Sequence, residues 1–118
     1  MKNEDIQLLL QDICARLPYK VKASYYGAEE ECETWDEVEG ITTDGYVDIG
    51  QYSLPIECIK PYLFPLSNMD KKQRKYIRDN YTFGATYELF DWLDKNHFDY
   101  RGLIEKGLAI DATGLNIY

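Results

Sequence analysis

Hydrophobic residues recur at steps of three and four along residues 3–17, which is the spacing of one face of an α-helix. Asn3 is the expected N-cap, and Pro18 is expected to end the helix because the residue before a proline avoids helical geometry. We predict an amphipathic helix with Leu10 and Ile13 buried against a sheet and Cys14 as a small core residue. The predicted face consists of Ile6, Leu9, Leu10, Ile13, Cys14 and Leu17.

The period of the pattern then changes to two. In residues 19–26 every second side chain is apolar or aromatic, with Val21 and Ala23 between polar neighbours. This alternation predicts a strand with one face in solvent. Residues 35–43 resume a β pattern, with Gly40 as a candidate bulge.

Turn signals divide the following residues into two further strands. Asp44 and Gly45 lie between β-like runs, and this dipeptide favours a two-residue type I′ hairpin, in which both central residues need positive φ. A strand over residues 46–49 is expected after the turn. A fourth strand is predicted over residues 54–58, and Pro55 is expected to place it at a sheet edge because proline donates no ladder hydrogen bond.

Residues 59–66, IKPYLFPL, are predicted to form an extended connector, because each proline disfavours helical geometry in the residue before it. A charged surface helix is predicted over residues 69–80. Ser67 or Asn68 is its expected cap, and Ser67 has capping-box spacing to Asp70.

Two more helices are predicted near the C-terminal end of the sequence. The first covers residues 84–96, with Leu89 and Leu93 on one face. The second covers residues 100–106 and is expected to be capped by Asp99 and closed by Gly107 in left-handed geometry. An extended piece and a loose tail are expected after it, at residues 108–110 and 112–118.

Together these elements predict an α+β fold with an N-terminal helix, a four-stranded antiparallel meander and two to three C-terminal helices. Short strands at this spacing also favour a partly open SH3-like barrel. A chain of 118 residues is expected to form a single domain. In it, residues 1–66 supply the helix and meander, and residues 67–118 supply the helical part.

The charge is distributed unevenly over the sequence. The formal net charge is −8, yet no Lys or Arg occurs between Lys22 and Lys60. That interval holds ten acids, whereas the other residues carry 13 bases and 11 acids. A field of one sign repels nucleic acid and attracts a basic partner. The ten acids are Glu29, Glu30, Glu31, Glu33, Asp36, Glu37, Glu39, Asp44, Asp48 and Glu57.

We predict that this acidic segment binds a basic protein, with its centre at Glu30, Glu31, Glu33, Asp36 and Glu37. Such a surface can imitate the phosphates of nucleic acid and so inhibit a host factor. The alternative is a merely solvated surface. The Tyr-rich composition, 11 residues in all, adds the connector residues Tyr62 and Phe64 as a candidate apolar contact.

The predicted helix over residues 69–80 supports a second hypothesis. Lys71, Lys75 and Arg78 lie at steps of four and three and share one stripe. This stripe is suited to a phosphate backbone, which would make the chain a nucleic-acid-associated accessory domain. Pairing with the acidic segment, or simple solvation of the helix, are the alternatives.

Candidate catalytic chemistry is limited to His97 and its neighbours Asp99, Tyr100 and Arg101. No nucleophile motif or glycine-rich phosphate loop accompanies them, so we expect no enzyme and no cofactor. His97 is expected to be structural and shielded by the last two helices. Arg101 is expected to pair with a nearby acid, namely Asp94, Asp99 or Glu105.

The cysteines and the apolar runs bear on metal binding and location. Cys14, Cys32 and Cys58 lack C-x-x-C spacing and the chain has one histidine, which predicts no metal site and fits a reducing cytoplasm. The longest apolar run has three residues, and acids interrupt the first residues, so neither a membrane span nor a secretory signal is expected.

Two stretches carry a resemblance. They are LPIECIKPYLFPLSNM at residues 54–69 and WLDKNHFDYRGLIEKGLAIDA at residues 92–112. Together they resemble a set of uncharacterised short proteins encoded by phages and mobile elements of Bacteroides-type gut bacteria. The resemblance covers the C-terminal half and the pattern of the N-terminal half. It implies a genomic setting and supplies no catalytic residues.

Overall fold

The structure, a computed structural model, describes residues 2–25, 34–81 and 87–118. These residues form a mixed α+β fold with an N-terminal helix, a seven-stranded sheet and two further helices. The helices are α1 (Asn3–Arg16), α2 (Lys71–Asn80) and α3 (Tyr87–Lys95). The strands are β1 (Lys22–Tyr25), β2 (Thr34–Ile41), β3 (Tyr46–Ile49), β4 (Tyr52–Pro55), β5 (Ile59–Pro65), β6 (Phe98–Asp99) and β7 (Ile110–Asp111). Short 3-10 turns cover Leu17–Tyr19, Ile56–Cys58 and Leu66–Asn68.

The sheet has the strand order β4-β3-β2-β1-β5-β6, with β7 also paired to β5. Strands β1 to β4 form the predicted antiparallel meander. Strand β5 then returns to lie antiparallel to β1, and β6 and β7 pair with it in parallel. The sheet therefore extends well beyond the four strands that the sequence predicts.

The extended geometry predicted for residues 59–66 is confirmed, but the segment is more than a connector, because β5 pairs with strands on both sides in the sheet. Its side chains alternate between two hydrophobic clusters: Ile59 and Leu63 join the main core, whereas Tyr62 and Phe64 join a second cluster on the other face. Prolines are rare in central strands because they lack a donor. In β5, Pro61 and Pro65 nevertheless adopt the extended geometry that strand pairing requires.

The buried face of α1 is rotated from the predicted one. Leu9 and Ile13 are fully buried, but so are Asp12 and Arg16, which complete the same stripe at steps of three and four. Leu10 is only half-buried and Cys14 is exposed. The prediction that both are core residues is therefore wrong in part for Leu10 and wrong for Cys14. The predicted face was built from apolar residues alone, so it did not include the charged Asp12 and Arg16.

The caps of the helices also differ from prediction. Lys2, not Asn3, is the N-cap of α1, and no side chain caps it. Asp70, not Ser67 or Asn68, caps α2, where it forms a capping box with Gln73. Helix α2 has no buried residue, which confirms that it lies on the surface. For the predicted helix over residues 84–96, the structure describes the part from Tyr87.

The hairpin between β2 and β3 is confirmed, but not its turn type. Gly45 has a φ of 82°, whereas Asp44 is not in the left-handed region, so the turn is not type I′. The Gly45 amide donates to the Thr42 carbonyl at 3.1 Å, which makes a four-residue turn. The register shifts between Val38 and Gly40, as expected of a bulge. Strand β4 lies at the sheet edge as predicted, although it ends at Pro55 and a 3-10 turn replaces its second half.

The predicted fourth helix is a closed turn instead. Both carboxylate oxygens of Asp99 accept backbone amides, from Leu103 at 3.0 Å and from Ile104 at 2.9 Å. Gly107 has a φ of 74°, and the Leu108 amide donates to the Leu103 carbonyl at 2.9 Å. The predicted start and end signals are therefore present, but Gly102 has a φ of 77°, and this left-handed residue interrupts a right-handed helix between them.

Residues 112–118 are not a loose tail. Ala112 and Ile117 are buried with Tyr62 in the second cluster. The Lys22 amide donates to the hydroxyl of Tyr118 at 2.8 Å, and that hydroxyl lies 2.9 Å from the Tyr62 carbonyl, to which it donates. The last paired residues of β1 and β5 at this end are Ala23 and Pro61, each next to a residue that the Tyr118 hydroxyl contacts. The hydroxyl therefore bridges the two strands where their own hydrogen bonds stop.

Candidate functional site

Three buried charged side chains and a fourth that is largely buried meet where α1, α3 and residues 100–101 come together. Asp12 and Arg16 are fully buried, and the Arg16 Nε lies 3.1 and 3.0 Å from the two Asp12 carboxylate oxygens. The Arg16 Nη2 also donates to the Phe98 carbonyl at 2.6 Å. Arg101 Nη1 bridges Asp12 Oδ1 at 2.7 Å and Asp94 Oδ1 at 3.3 Å. This buried charge cluster ties three separate elements together.

Tyr100 forms part of the same cluster. Its hydroxyl donates to Asp94 Oδ1 at 3.0 Å, and the Arg101 guanidinium carbon lies 4.4 Å from its ring centroid. Burial raises the pKa of Tyr100 to about 12, and the hydrogen bond to Asp94 acts in the same direction. The phenol is therefore a permanent donor at neutral pH. Arg101 pairs with Asp94 as predicted and also with Asp12, whereas Asp99 binds backbone amides.

A cleft of about 570 Å³ opens beside this cluster, between α1 and α3. Each helix presents one stripe to the cleft, and residues 100–101 complete its lining. Asp94 and Arg101 thus belong both to the buried charge cluster and to the cleft. The lining residues are Leu8, Gln11, Ala15, Tyr87, Phe90, Asp91, Asp94, Tyr100 and Arg101.

Aromatic side chains at the cleft are unusually exposed. Tyr87 is 83% exposed and Phe90 is 39% exposed. The Phe90 ring lies 5.1 Å from that of Tyr100. Next to them, the Asp91 carboxylate accepts a hydrogen bond from the Tyr19 hydroxyl. This bond is the main reason that the pKa of Tyr19 rises to about 12.

His97 is buried, but residues 112–118 shield it rather than a fourth helix. Its ring stacks on that of Tyr118 with centroids 3.7 Å apart, and its backbone has a left-handed φ of 61°. Nδ1 has no hydrogen-bond partner within the described ranges. Burial lowers the pKa of His97 to about 4, and the positive charges of Arg16 and Lys22 add to the effect. The ring is therefore neutral at physiological pH and faces an aromatic side chain.

The sequence-predicted acids that the structure describes lie on β2 and β3, in the turn between them, and in the 3-10 turn after β4. Asp36 is exposed and Glu37 is half-buried, whereas Glu30, Glu31 and Glu33 lie outside the described residues. We call the described group the acidic end. None of its members forms an ion pair with a Lys or Arg of residues 2–25, 34–81 or 87–118. The acidic end consists of Asp36, Glu37, Glu39, Asp44, Asp48 and Glu57.

Two aromatic residues are exposed among these acids. Trp35 is 47% exposed and Tyr46 is 43% exposed. Lys22 is the cross-strand partner of Glu37, yet its ammonium donates to the Ile117 carbonyl at 2.8 Å and lies 5.4 Å from the Trp35 ring centroid. The cation opposite Glu37 in the ladder is thus directed elsewhere and forms no ion pair with that carboxylate.

The other predicted contact residues lie apart from this surface. Tyr62 is 7% exposed and belongs to the second hydrophobic cluster, so its ring is not available to a partner. Phe64 is half-buried, with its ring 6.3 Å from Phe98 and 5.9 Å from Tyr118. Both positions therefore belong to the packing of β5 and correct the prediction of an exposed apolar contact there.

The basic residues predicted to share a stripe are exposed on α2, namely Lys71, Lys75 and Arg78. The Tyr76 ring of this helix stacks on Trp92 at 5.7 Å, and Trp92 stacks on Phe98 of β6 at 5.9 Å. Helix α2 therefore adjoins the β6 edge of the sheet, whereas the acidic end adjoins the β4 edge. The longest dimension of the molecule is 48 Å.

Metal ligation and membrane insertion find no support within the described residues. Cys14 and Cys58 are exposed free thiols, and no three described His, Cys, Asp or Glu side chains lie close enough to share a metal ion. Cys32 is outside the described ranges. Of the helices in the described part of the chain, none is long and apolar enough to cross a bilayer.

Sequence reasoning missed the buried charge cluster and the cleft. The signal for the cluster was present, because Asp12 and Arg16 are four residues apart and flank Ile13 on the hydrophobic helix. The cleft has no such signal, since it depends on how α1 and α3 come together. Comparisons with protein-family models, with curated proteins and with solved structures find no match to this chain.

Proposed function

We propose that this chain is a small, non-enzymatic binding protein of phage or mobile-element origin that works in the cytoplasm and holds a basic protein partner through its acidic end. The observation that carries the proposal is the set of described acids without an ion pair, on a part of the sheet whose strands also carry the exposed Trp35 and Tyr46. Charges of one sign destabilise a fold by self-repulsion. A partner of opposite charge relieves that repulsion, and exposed Trp and Tyr rings supply apolar contact.

The field of the acidic end acts mainly on encounter rate and on specificity, because single surface ion pairs are weak. A row of carboxylates also presents negative charge as nucleic acid does. A host factor that binds nucleic acid is therefore a suitable target, and occupation of its basic groove would inhibit it.

We also propose that β1 to β5 form a partly open barrel of the SH3-like kind. What supports this is the return of β5 to β1 after a meander, together with the change of register near Gly40, where a bulge bends β2. Such a barrel would curve the acidic strands and give their outer face a shape as well as a charge.

The test replaces four acids of the acidic end and compares the variant with a matched control. The variant is Asp36→Asn, Glu37→Gln, Glu39→Gln and Asp48→Asn. The control removes the same charge from exposed positions elsewhere, with Glu4→Gln, Asp79→Asn, Glu88→Gln and Glu105→Gln. Each immobilised protein captures basic proteins from a Bacteroides lysate, and quantitative mass spectrometry compares the three.

We expect one basic protein to be retained by the wild type and the control, and to be lost from the acidic-end variant. For the purified protein, the association rate should fall on the order of tenfold or more in that variant and should fall with rising salt. Equal capture by all three proteins would contradict the proposal.

The alternative, a nucleic-acid accessory role, is supported by the exposed bases of α2. Its discriminating measurement is binding to a DNA duplex at low salt. The triple variant Lys71→Gln, Lys75→Gln and Arg78→Gln should abolish binding under this alternative, and the acidic-end variant should strengthen it.

A further inference from the structure

The cleft between α1 and α3 has the dimensions and lining of a ligand site. Its volume of about 570 Å³ falls within the range of pockets that hold small ligands or short peptide segments. Leu8 and Ala15 give it an apolar wall, and Tyr87, Phe90 and Tyr100 give it three aromatic rings. Two of these rings, Tyr87 and Phe90, are exposed, and exposed aromatic rings beside an apolar wall are typical of an interaction site.

The charges around the cleft favour a cation. Arg101 is the only base among the described residues of its lining, and its Nη1 is engaged by two carboxylates, Asp12 and Asp94. The lining also carries Asp91, whose carboxylate accepts one hydrogen bond from a neutral phenol, that of Tyr19. A carboxylate has room for about four such bonds. With Arg16 paired to Asp12, the group of five charges retains one net negative charge.

The aromatic rings point to the same chemistry. Cations are attracted to the faces of Tyr and Phe rings, and Arg101 already lies over Tyr100 in this way at 4.4 Å. A long basic side chain can place its stem against an apolar wall and its charged end at a carboxylate. Asp91 and Phe90 both line the cleft, so one ligand in it can contact both.

We propose that the α1–α3 cleft binds an arginine or lysine side chain of a peptide segment, with Asp91 as the counter-ion and Phe90, Tyr87 and Tyr100 as the aromatic surround. The inference rests on the proposed function in one respect, since the basic partner supplies the side chain. The acidic end then attracts the partner, and the cleft selects one of its residues.

The experiment titrates the isotopically labelled chain with two peptides and follows its NMR spectrum. The probe is acetyl-Gly-Arg-Gly-amide, and the control replaces Arg with citrulline, which has the same shape and no charge. We expect saturable shifts for Tyr87, Phe90 and Tyr100 with the arginine peptide. The citrulline peptide should bind at least about threefold more weakly, as expected for loss of a cation–π contact and an ion pair.

Three variants separate the cleft from the general field. Asp91→Asn keeps an acceptor for Tyr19, and Phe90→Ala removes a ring. Each should weaken the arginine peptide roughly two- to fivefold while the dispersed NMR spectrum shows that the chain stays folded. Glu37→Gln, at the acidic end, removes the same charge as Asp91→Asn and should leave the affinity within error.

Equal binding of the two peptides, shifts confined to the acidic end, or the absence of saturable shifts would each overturn the inference. None of these results would affect capture of the basic partner by the acidic end. Conversely, loss of partner capture with intact peptide binding would sink the proposed function and leave the cleft as a cation site.

Discussion

The hydroxyl of Tyr118 is a single group that completes the hydrogen bonding between two strands. It accepts from the Lys22 amide and donates to the Tyr62 carbonyl. Tyr118→Phe would remove this partner from both backbone groups, which costs about 0.5–1.5 kcal/mol because the bonds are not fully buried and water can replace the hydroxyl in part. Denaturant unfolding should show this loss. Tyr46→Phe is the control, because the Tyr46 hydroxyl bonds to no residue of the described ranges, and a similar loss in both variants would contradict the bridging role.

His97 makes stability depend on pH in one direction. Its pKa is about 4 in the folded protein, against an ordinary value of 6.5. Between these values the unfolded chain binds a proton that the folded chain does not, so this contribution to stability is lost as pH falls from about 6.5 towards 4.

His97→Asn is the variant that isolates this effect. Asn tolerates the left-handed backbone of position 97 and does not titrate. The free energy of unfolding should be measured for both proteins from pH 4 to pH 8. The wild type should lose more stability on acidification than the variant does. A difference that stays constant over this range would show that the histidine is not protected from protonation.

Among the secondary-structure elements, α1 shows by the burial of its leucines which face of the helix packs against the core. Leu9 is fully buried, whereas Leu10 is half-buried. Leu9→Ala should therefore cost on the order of 2–5 kcal/mol and Leu10→Ala clearly less. Thermal melts of the two variants provide the comparison. An equal or larger loss for Leu10→Ala would restore the predicted helical face and contradict the observed one.

The buried charges of α1 give a second prediction at this scale. Asp12→Ala removes the carboxylate that pairs both Arg16 and Arg101. An unpaired buried charge costs about 3–5 kcal/mol, and denaturant unfolding should show a loss of this size. The double variant Asp12→Leu with Arg16→Met should recover much of the loss, because it removes both charges of the pair. A single variant as stable as the wild type would mean that water reaches Arg16.

The elements differ in how well the sequence predicts them, and the reasons are physical. Strand β3 was predicted with its bounds because Val47 and Ile49 alternate with polar residues between two turns. For β5, Pro61 and Pro65 predict the extended geometry but not the pairing, because its partners β1, β6 and β7 are remote in sequence. Pairing across such distances leaves no local pattern.

The features of the candidate site also differ in how well the sequence predicts them. The excess of acids on residues 34–59 is a property of composition, and counting finds it. An acid lacks an ion pair when the nearby cationic side chains point away from it, as that of Lys22 does. Only the structure shows where these side chains point. The cleft depends on two helices more than 70 residues apart, so no spacing in the sequence predicts it.

For the whole molecule, the acidic end and the basic α2 adjoin opposite edges of one sheet. Repulsion among the acids should be screened by salt, with a screening length of about 8 Å at physiological ionic strength. We therefore expect the melting temperature of the wild type to rise between low and moderate salt. The rise should be smaller in the quadruple acidic-end variant than in its matched control. Equal rises would show that the acids do not repel one another measurably.

The bridge from Tyr118 to Lys22 also has a consequence for protein synthesis. These residues are separated by 96 positions, which a ribosome takes roughly 5–20 s to translate. During that interval β1 has left the ribosome, but the side chains that cover the outer face of β5 have not been made. The nascent chain thus exposes Tyr62 and Phe64 until translation reaches residues 112–118. Chaperone contact or premature aggregation of this chain should therefore centre on β5.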